Sequence, residues 1–207
     1  MNMKTCKLLF QGDSITDADR VRENPLDLGT GYPYYAAQLL RAQHPDVGFT
    51  FWNRGIGCDE TQNLLARIEP DLIALQPDVV SLLIGINDTW HHADARDWMP
   101  LPVFEARYRE ILERIRKETS AKLMVIEQYL FPVPDKTYFA EDLAPKQACV
   151  RELAKKYADV FLPAHELAQQ AAAVRGSDAF TADGVHLNET GAHWLAEAYA
   201  KAIAPLL

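Results

Sequence analysis

Four side chains able to do chemistry stand beside turns of this 207-residue chain. Ser14 ends Gly12-Asp13-Ser14, Asn87 sits in Gly85-Ile86-Asn87-Asp88, and Asp183 and His186 share Asp183-Gly184-Val185-His186. A serine hydroxyl is a weak nucleophile and needs an adjacent base. An imidazole supplies that base through one ring nitrogen when its other nitrogen meets an acceptor that fixes the tautomer and supports the imidazolium. Asp183, three residues before His186, can curl back to do this. The oxyanion formed by attack needs preorganised donors. Backbone N–H groups at Ser14 and near Cys58 are candidates, with the Asn87 side-chain amide as a third. Taken singly, each residue has an ordinary reading as a turn or cap residue. Together they are the parts of acyl transfer by a serine nucleophile, provided that the fold gathers them.

The pattern of elements says where it would. Lys7–Gln11, the alternating "VGFTFWN" (47–53), the unbroken apolar "DVVSLLIG" (78–85), "AKLMVIEQY" (121–129) and the short "DVFLP" (159–163) read as five strands. Helices are predicted over 31–45, 59–77 with a break near Pro70, 102–120, 142–157, 164–174 and 190–204. The clearest is 102–120, where Phe104, Tyr108, Ile111, Leu112 and Ile115 form one stripe. Thr190 or Asn188 would cap the last helix. Alternating strands and helices imply an α/β domain over residues 1–207 with a parallel sheet and right-handed crossovers. In such sheets ligands bind beyond the carboxyl ends of the strands. Ser14, the Asn53–Asp59 glycine-rich stretch and Asn87 all follow strand ends, and the Asp183–His186 loop precedes the last helix.

Composition narrows the function classes. The net charge of −8 argues against binding a nucleic-acid backbone or an anionic membrane. Cys6, Cys58 and Cys149 are odd in number and far apart, with no ligand spacing for zinc and no disulfide framework. No stretch approaches the roughly 20 apolar residues of a membrane span, and the apolar run near the N-terminus is short for a signal peptide. The expected location is the cytoplasm.

"GDSIT", "NRGIG", "GIND" and "DGVH" follow the order and approximate spacing of four signature blocks. On these the chain resembles the SGNH hydrolases, also called GDSL esterases and lipases. "LGTGYPYYAAQLL" and "DVVSLLIGINDTW" look like the subgroup of intracellular acetyl-xylooligosaccharide esterases. The resemblance implies a flavodoxin-like three-layer α/β/α fold and a hydrolase without metal or cofactor. It makes Ser14 the nucleophile, His186 the base, Asp183 the residue that orients it, and Asn87 an oxyanion donor. One block departs: the family pattern has a glycine where "NRGIGC" has Cys58. Either Cys58 supplies the oxyanion N–H from its backbone, or Gly57 does after a one-residue shift. By analogy with the subgroup, a homo-oligomer is allowed.

The sequence therefore reads as a serine esterase acting on a small-molecule ester, with acetyl groups on a soluble sugar as the expected substrate. A lysophospholipase or acyl-thioesterase keeps the chemistry with a longer chain; a noncatalytic sugar-binding domain keeps only the fold. In "DTWHHADARDWMP" (88–100), Trp90, His91, His92 and Trp98 are expected at the rim, with Trp90 offering an aromatic face to a sugar or packing in the core. Asp13 and Asp88 are expected to brace their loops by accepting backbone N–H bonds. His193 is expected to pack or face solvent, and Asp17 and Asp19 to form a solvated acidic turn.

Overall fold

The computed structural model describes residues 4–207. Five parallel strands form one sheet: β1 (Lys4–Gly12), β2 (Val47–Asn53), β3 (Val79–Leu83), β4 (Lys122–Ile126) and β5 (Val160–Leu162), in the order β2-β1-β3-β4-β5. Eight helices accompany them among the described residues: α1 (Ser14–Asp17), α2 (Tyr32–Gln43), α3 (Thr61–Asp71), α4 (Asn87–Trp90), α5 (Leu101–Glu118), α6 (Ala140–Tyr157), α7 (Ala164–Arg175) and α8 (Glu189–Ile203).

Alternation along the strands divides the core into two layers. Leu8, Phe10, Val79, Leu83, Met124 and Ile126 face one side, where Tyr32 and Leu40 of α2, Ala164 and Ala168 of α7, and Leu195 and Tyr199 of α8 cover them. Leu9, Val80, Leu82, Leu123 and Val125 face the other side. There Leu64 and Ile68 of α3, the stripe of α5 and Val150 of α6 close the layer. Phe104, Tyr108, Ile111, Leu112 and Ile115 are all fully buried, as their spacing predicts. Burying aliphatic side chains of this size contributes roughly 1.5–3 kcal/mol each. The three-layer α/β/α fold is thus the one expected.

Element boundaries differ from the sequence reading by a few residues, for physical reasons. The helix read over 59–77 ends at Asp71, one residue past Pro70, and a short 3₁₀ turn over Ile73–Leu75 follows. A proline ring clashes with the turn before it and removes a donor, so the helix does not continue far. Asn188 rather than Thr190 caps α8, its Oδ1 accepting from the Gly191 N–H at 2.9 Å. The four-residue α1 and α4 were not predicted, because one turn is too short to show a period.

The register fixes where chemistry can occur. Phe10 of β1 lies between Asn53 of β2 and Ser81 of β3, so these strands end along one edge. Strand order reverses between β1 and β3, which opens a crevice at their carboxyl ends. No helix among the described residues is long and apolar enough to cross a membrane.

Candidate active site

β1 delivers Ser14 to that crevice through a close-packed turn. A Cβ on Gly12 would meet Thr16 Oγ1 at 2.3 Å and the Leu83 carbonyl at 2.4 Å, so only glycine lets the strand end press against β3. Asp13 then caps α1, its Oδ1 accepting from the Ile15 N–H at 3.0 Å, as expected. Ser14 is the first residue of this helix.

The Asp183–His186 loop brings the imidazole to it. Ser14 Oγ lies 2.9 Å from His186 Nε2, and His186 Nδ1 lies 2.6 Å from Asp183 Oδ2. Asp183 Oδ1 accepts from the backbone N–H groups of Val185 at 2.9 Å and His186 at 2.8 Å. Thr181 Oγ1, 2.7 Å from the His186 carbonyl oxygen and 3.2 Å from Asp183 Oδ1, closes the turn. Burial alone would raise the Asp183 carboxyl. The hydrogen bonds from the His186 ring and from two backbone amides outweigh burial, and the group sits well below the ordinary range. The same bond to Asp183 raises the His186 imidazole above its ordinary value, against a smaller opposing effect of burial. The nearby Lys136 ammonium also opposes it.

The loop between β2 and α3 forms the second wall. The Asn53 side-chain amide donates to the carbonyls of Thr16 at 2.6 Å and Leu28 at 3.0 Å, while its Oδ1 accepts from the Gly55 N–H at 2.9 Å. A Cβ on Gly55 would meet the Asp17 backbone nitrogen at 2.2 Å, so glycine is required for this approach. Beyond it, the Gly57 N–H donates to Asp17 Oδ2 at 2.9 Å. Cys58 follows in the left-handed region, at φ 68°, a conformation that costs a non-glycine residue on the order of 1 kcal/mol or more. Among the described residues, the backbone N–H groups of Ser14 and Cys58 meet no acceptor.

β3 delivers the third donor. Asn87 opens α4, and its side-chain amide donates to the Asp59 carbonyl at 3.0 Å, leaving one N–H of the pair free. Asp88 braces the loop as expected, its two oxygens accepting from the Thr61 N–H at 3.0 Å and hydroxyl at 2.5 Å. Burial pushes the Asp88 carboxyl up to about 6. Beneath α4 the fully buried Lys146 donates to the Asp88 carbonyl at 2.6 Å and pairs with Asp142.

Several expectations need correction or refinement. Asp17 is no solvated residue of an acidic turn: it is buried, takes the Gly57 N–H, and pairs with Arg22 at 2.5 Å and Arg20 at 3.6 Å. The helix α1 turns its side chain inward toward the β2–α3 loop, while its neighbour Asp19 is exposed. Trp90 stands beside the site, its ring 5.6 Å from that of His186 and under the Lys136 ammonium at 5.0 Å. His91 instead pairs with Glu60 at 2.9 Å, His92 with Asp97 at 3.4 Å, and Trp98 packs against the core. His193 is exposed and stacks on Tyr35 at 3.8 Å. Thr181, Arg67 and Lys146 carried no signal in the sequence, because the backbone and side-chain groups that they bind form no local pattern and are brought together by the fold. A cleft of about 740 Å³ opens from Ser14 and His186 along Gly57, Arg22, Tyr35 and Glu189.

The chain is similar to known proteins in sequence and in fold. An acetylxylan esterase of Geobacillus stearothermophilus is 42% identical over 117 residues, or 55% of this chain and 53% of that protein. The chain thus spans about half the length of this curated relative in the match. A solved mutant of an acetyl-xylooligosaccharide esterase from Geobacillus superposes with a TM-score of 0.88 at 29% identity, covering 98% of this chain and 96% of the other. A structure from Parabacteroides merdae, named for its likeness to GDSL lipases, superposes with a TM-score of 0.90 at 27% identity, over 100% and 99% of the two chains. Residues 10–194 match the GDSL-like Lipase/Acylhydrolase family, and the chain belongs to that family.

Proposed function

We propose that the protein is a serine esterase that removes short acyl groups, acetyl foremost, from a soluble carbohydrate ester. The observation that carries the reading is the line Ser14 Oγ–His186 Nε2, His186 Nδ1–Asp183, at 2.9 and 2.6 Å. In the proposed course, His186 Nε2 takes the Ser14 proton as Oγ attacks the ester carbonyl. The oxyanion is held by the Ser14 and Cys58 N–H groups and the Asn87 amide. The imidazolium, supported by Asp183, returns the proton to the departing alcohol and leaves an acyl-enzyme. Water activated by the same ring then releases the acid.

The cleft supports a polar alcohol. Arg22, Asp17, Asp19 and Glu189 stand along it, with Tyr32 and Tyr35 as its aromatic residues. Ile15, Tyr32 and Leu187 also line it, but they share it with these four charged side chains, which a long acyl chain would have to desolvate; this disfavours the lysophospholipase and acyl-thioesterase readings. Trp90 beside His186 is assigned to the substrate rim. A serine, an imidazole and a carboxylate lined up at bonding distances disfavour a noncatalytic sugar-binding domain, because sugar binding needs no base beside a hydroxyl and no carboxylate to orient that base. The test is acetate release from acetylated xylooligosaccharides against fatty-acid release from a lysophospholipid. The reading expects the first to exceed the second by at least about a hundredfold in kcat/KM; the reverse order overturns it.

A further inference from the structure

One guanidinium ties together the walls of the crevice. Arg67, on α3, donates from Nε to Asp59 Oδ2 at 2.6 Å, from Nη1 to the Arg54 carbonyl at 2.8 Å and to Asp71 Oδ2 at 2.7 Å, and from Nη2 to the Gly12 carbonyl at 3.1 Å. Gly12 is the last residue of β1 and lies two before Ser14. Arg54 and Asp59 flank Gly57 and Cys58 in the β2–α3 loop. The Asp59 carbonyl in turn receives the Asn87 amide at 3.0 Å. The side chain is only 15% exposed and touches no surface of the cleft.

We propose that Arg67 is a positioning residue for the oxyanion hole. It bonds to the two backbone segments that carry the Ser14 N–H and the Cys58 N–H, and it reaches the Asn87 amide through Asp59, whose carbonyl that amide meets. The fork geometry matters, because five donors in one plane reach four acceptors on three elements, which a point charge cannot do. Two features say that the site needs such a clamp. Cys58 is held at a left-handed φ that a free loop would not keep. Asn87 is aimed by a carbonyl whose own residue is anchored through its carboxylate to Arg67. Arg67 does not meet substrate; it sets the spacing of groups that meet the transition state. Donor spacing affects the oxyanion more than the ground-state ester, so the effect falls on kcat.

This inference rests on the esterase reading, and the test separates the two. Arg67→Gln and Arg67→Lys are compared with the native protein and with Ser14→Ala on nitrophenyl acetate. Each is also tested against phenylboronic acid, whose boron takes Ser14 Oγ and leaves a tetrahedral oxygen in the hole. The expected result for Arg67→Gln is kcat lower by roughly 10–100-fold with KM within about threefold, and boronate affinity lower by a similar factor. Arg67→Lys recovers only part of the loss. If Arg67→Gln does not fold, Asp59→Asn, which breaks the ion pair and keeps the Asp59 carbonyl, takes its place with the same expectation. Native kcat and boronate affinity in a folded variant overturn the proposal, as does a loss confined to KM or fully restored by lysine. If Ser14→Ala keeps native activity, the esterase reading itself falls and this one with it.

Discussion

The Gly57 N–H donates to Asp17 Oδ2 across 2.9 Å, and the N–H of the next residue, Cys58, meets no acceptor among the described residues. The two amides that the sequence left open as oxyanion donors are therefore unequal: one is committed to a buried carboxylate, the other is free. A backbone role for Cys58 predicts that its thiol is dispensable. Cys58→Ala keeps the backbone N–H and is expected to hold kcat for nitrophenyl acetate within about threefold of native. A loss of a hundredfold or more in the folded variant would assign work to the sulfur instead.

The pH profile follows from the His186–Asp183 pair. Asp183 raises the imidazole above its ordinary 6.5, and a base must be neutral to accept the Ser14 proton. The kcat/KM curve is expected to rise with pH through a midpoint above 6.5. Asp183→Asn removes the anion, so the midpoint shifts down while kcat falls, by about 10³–10⁴ on the precedent of other serine triads. An unshifted midpoint in that variant would detach Asp183 from His186. Stability at this pair has the opposite sense for the two groups. The raised histidine stabilises below its unfolded value and loses that contribution as pH rises through its folded value. The lowered Asp183 stabilises above its unfolded value and loses it on acidification.

Asp13 makes a separate prediction. It is fully buried, its Oδ2 has no partner, and burial pushes its carboxyl up to about 7 from 3.8. His186 pulls the other way, while Asp59 and Asp88 add to the rise. Between these two values the folded protein holds more protons than the unfolded chain, so this residue costs stability as pH rises. Asp13→Asn keeps the helix cap and removes the titration. Urea unfolding is expected to show the variant gaining about 2–3 kcal/mol relative to native between pH 5 and pH 8. Parallel stability curves for the two proteins would show that Asp13 is ionised throughout.

That Ser14, Asp183 and His186 come together was readable in the sequence because they carry distinctive chemistry next to turn residues. The strands were readable because apolar runs such as Val79–Leu83 have few alternatives. What escaped was the bracing between segments. Asp17 lies in the polar "TDADR" and looks solvated until the β2–α3 loop is folded over it. Arg67 binds two carbonyls and two carboxylates from four places in the chain, a set with no local pattern. Lys146, inside an amphipathic helix, is buried only because Asp142 and the Asp88 carbonyl lie against it. Trp90 was named from the sequence for its aromatic face; the fold sets its ring beside that of His186, whereas His91 and His92 pair with Glu60 and Asp97.

The central claim is that Ser14 is the nucleophile of an esterase for short acyl groups. The direct measurement is hydrolysis of nitrophenyl acetate, butyrate and decanoate by the native protein and by Ser14→Ala, with the fold of both checked by circular dichroism. The account predicts kcat/KM highest on acetate and falling with chain length, and a loss of at least about a thousandfold in the variant. Activity on acetate within tenfold of native in folded Ser14→Ala would contradict it.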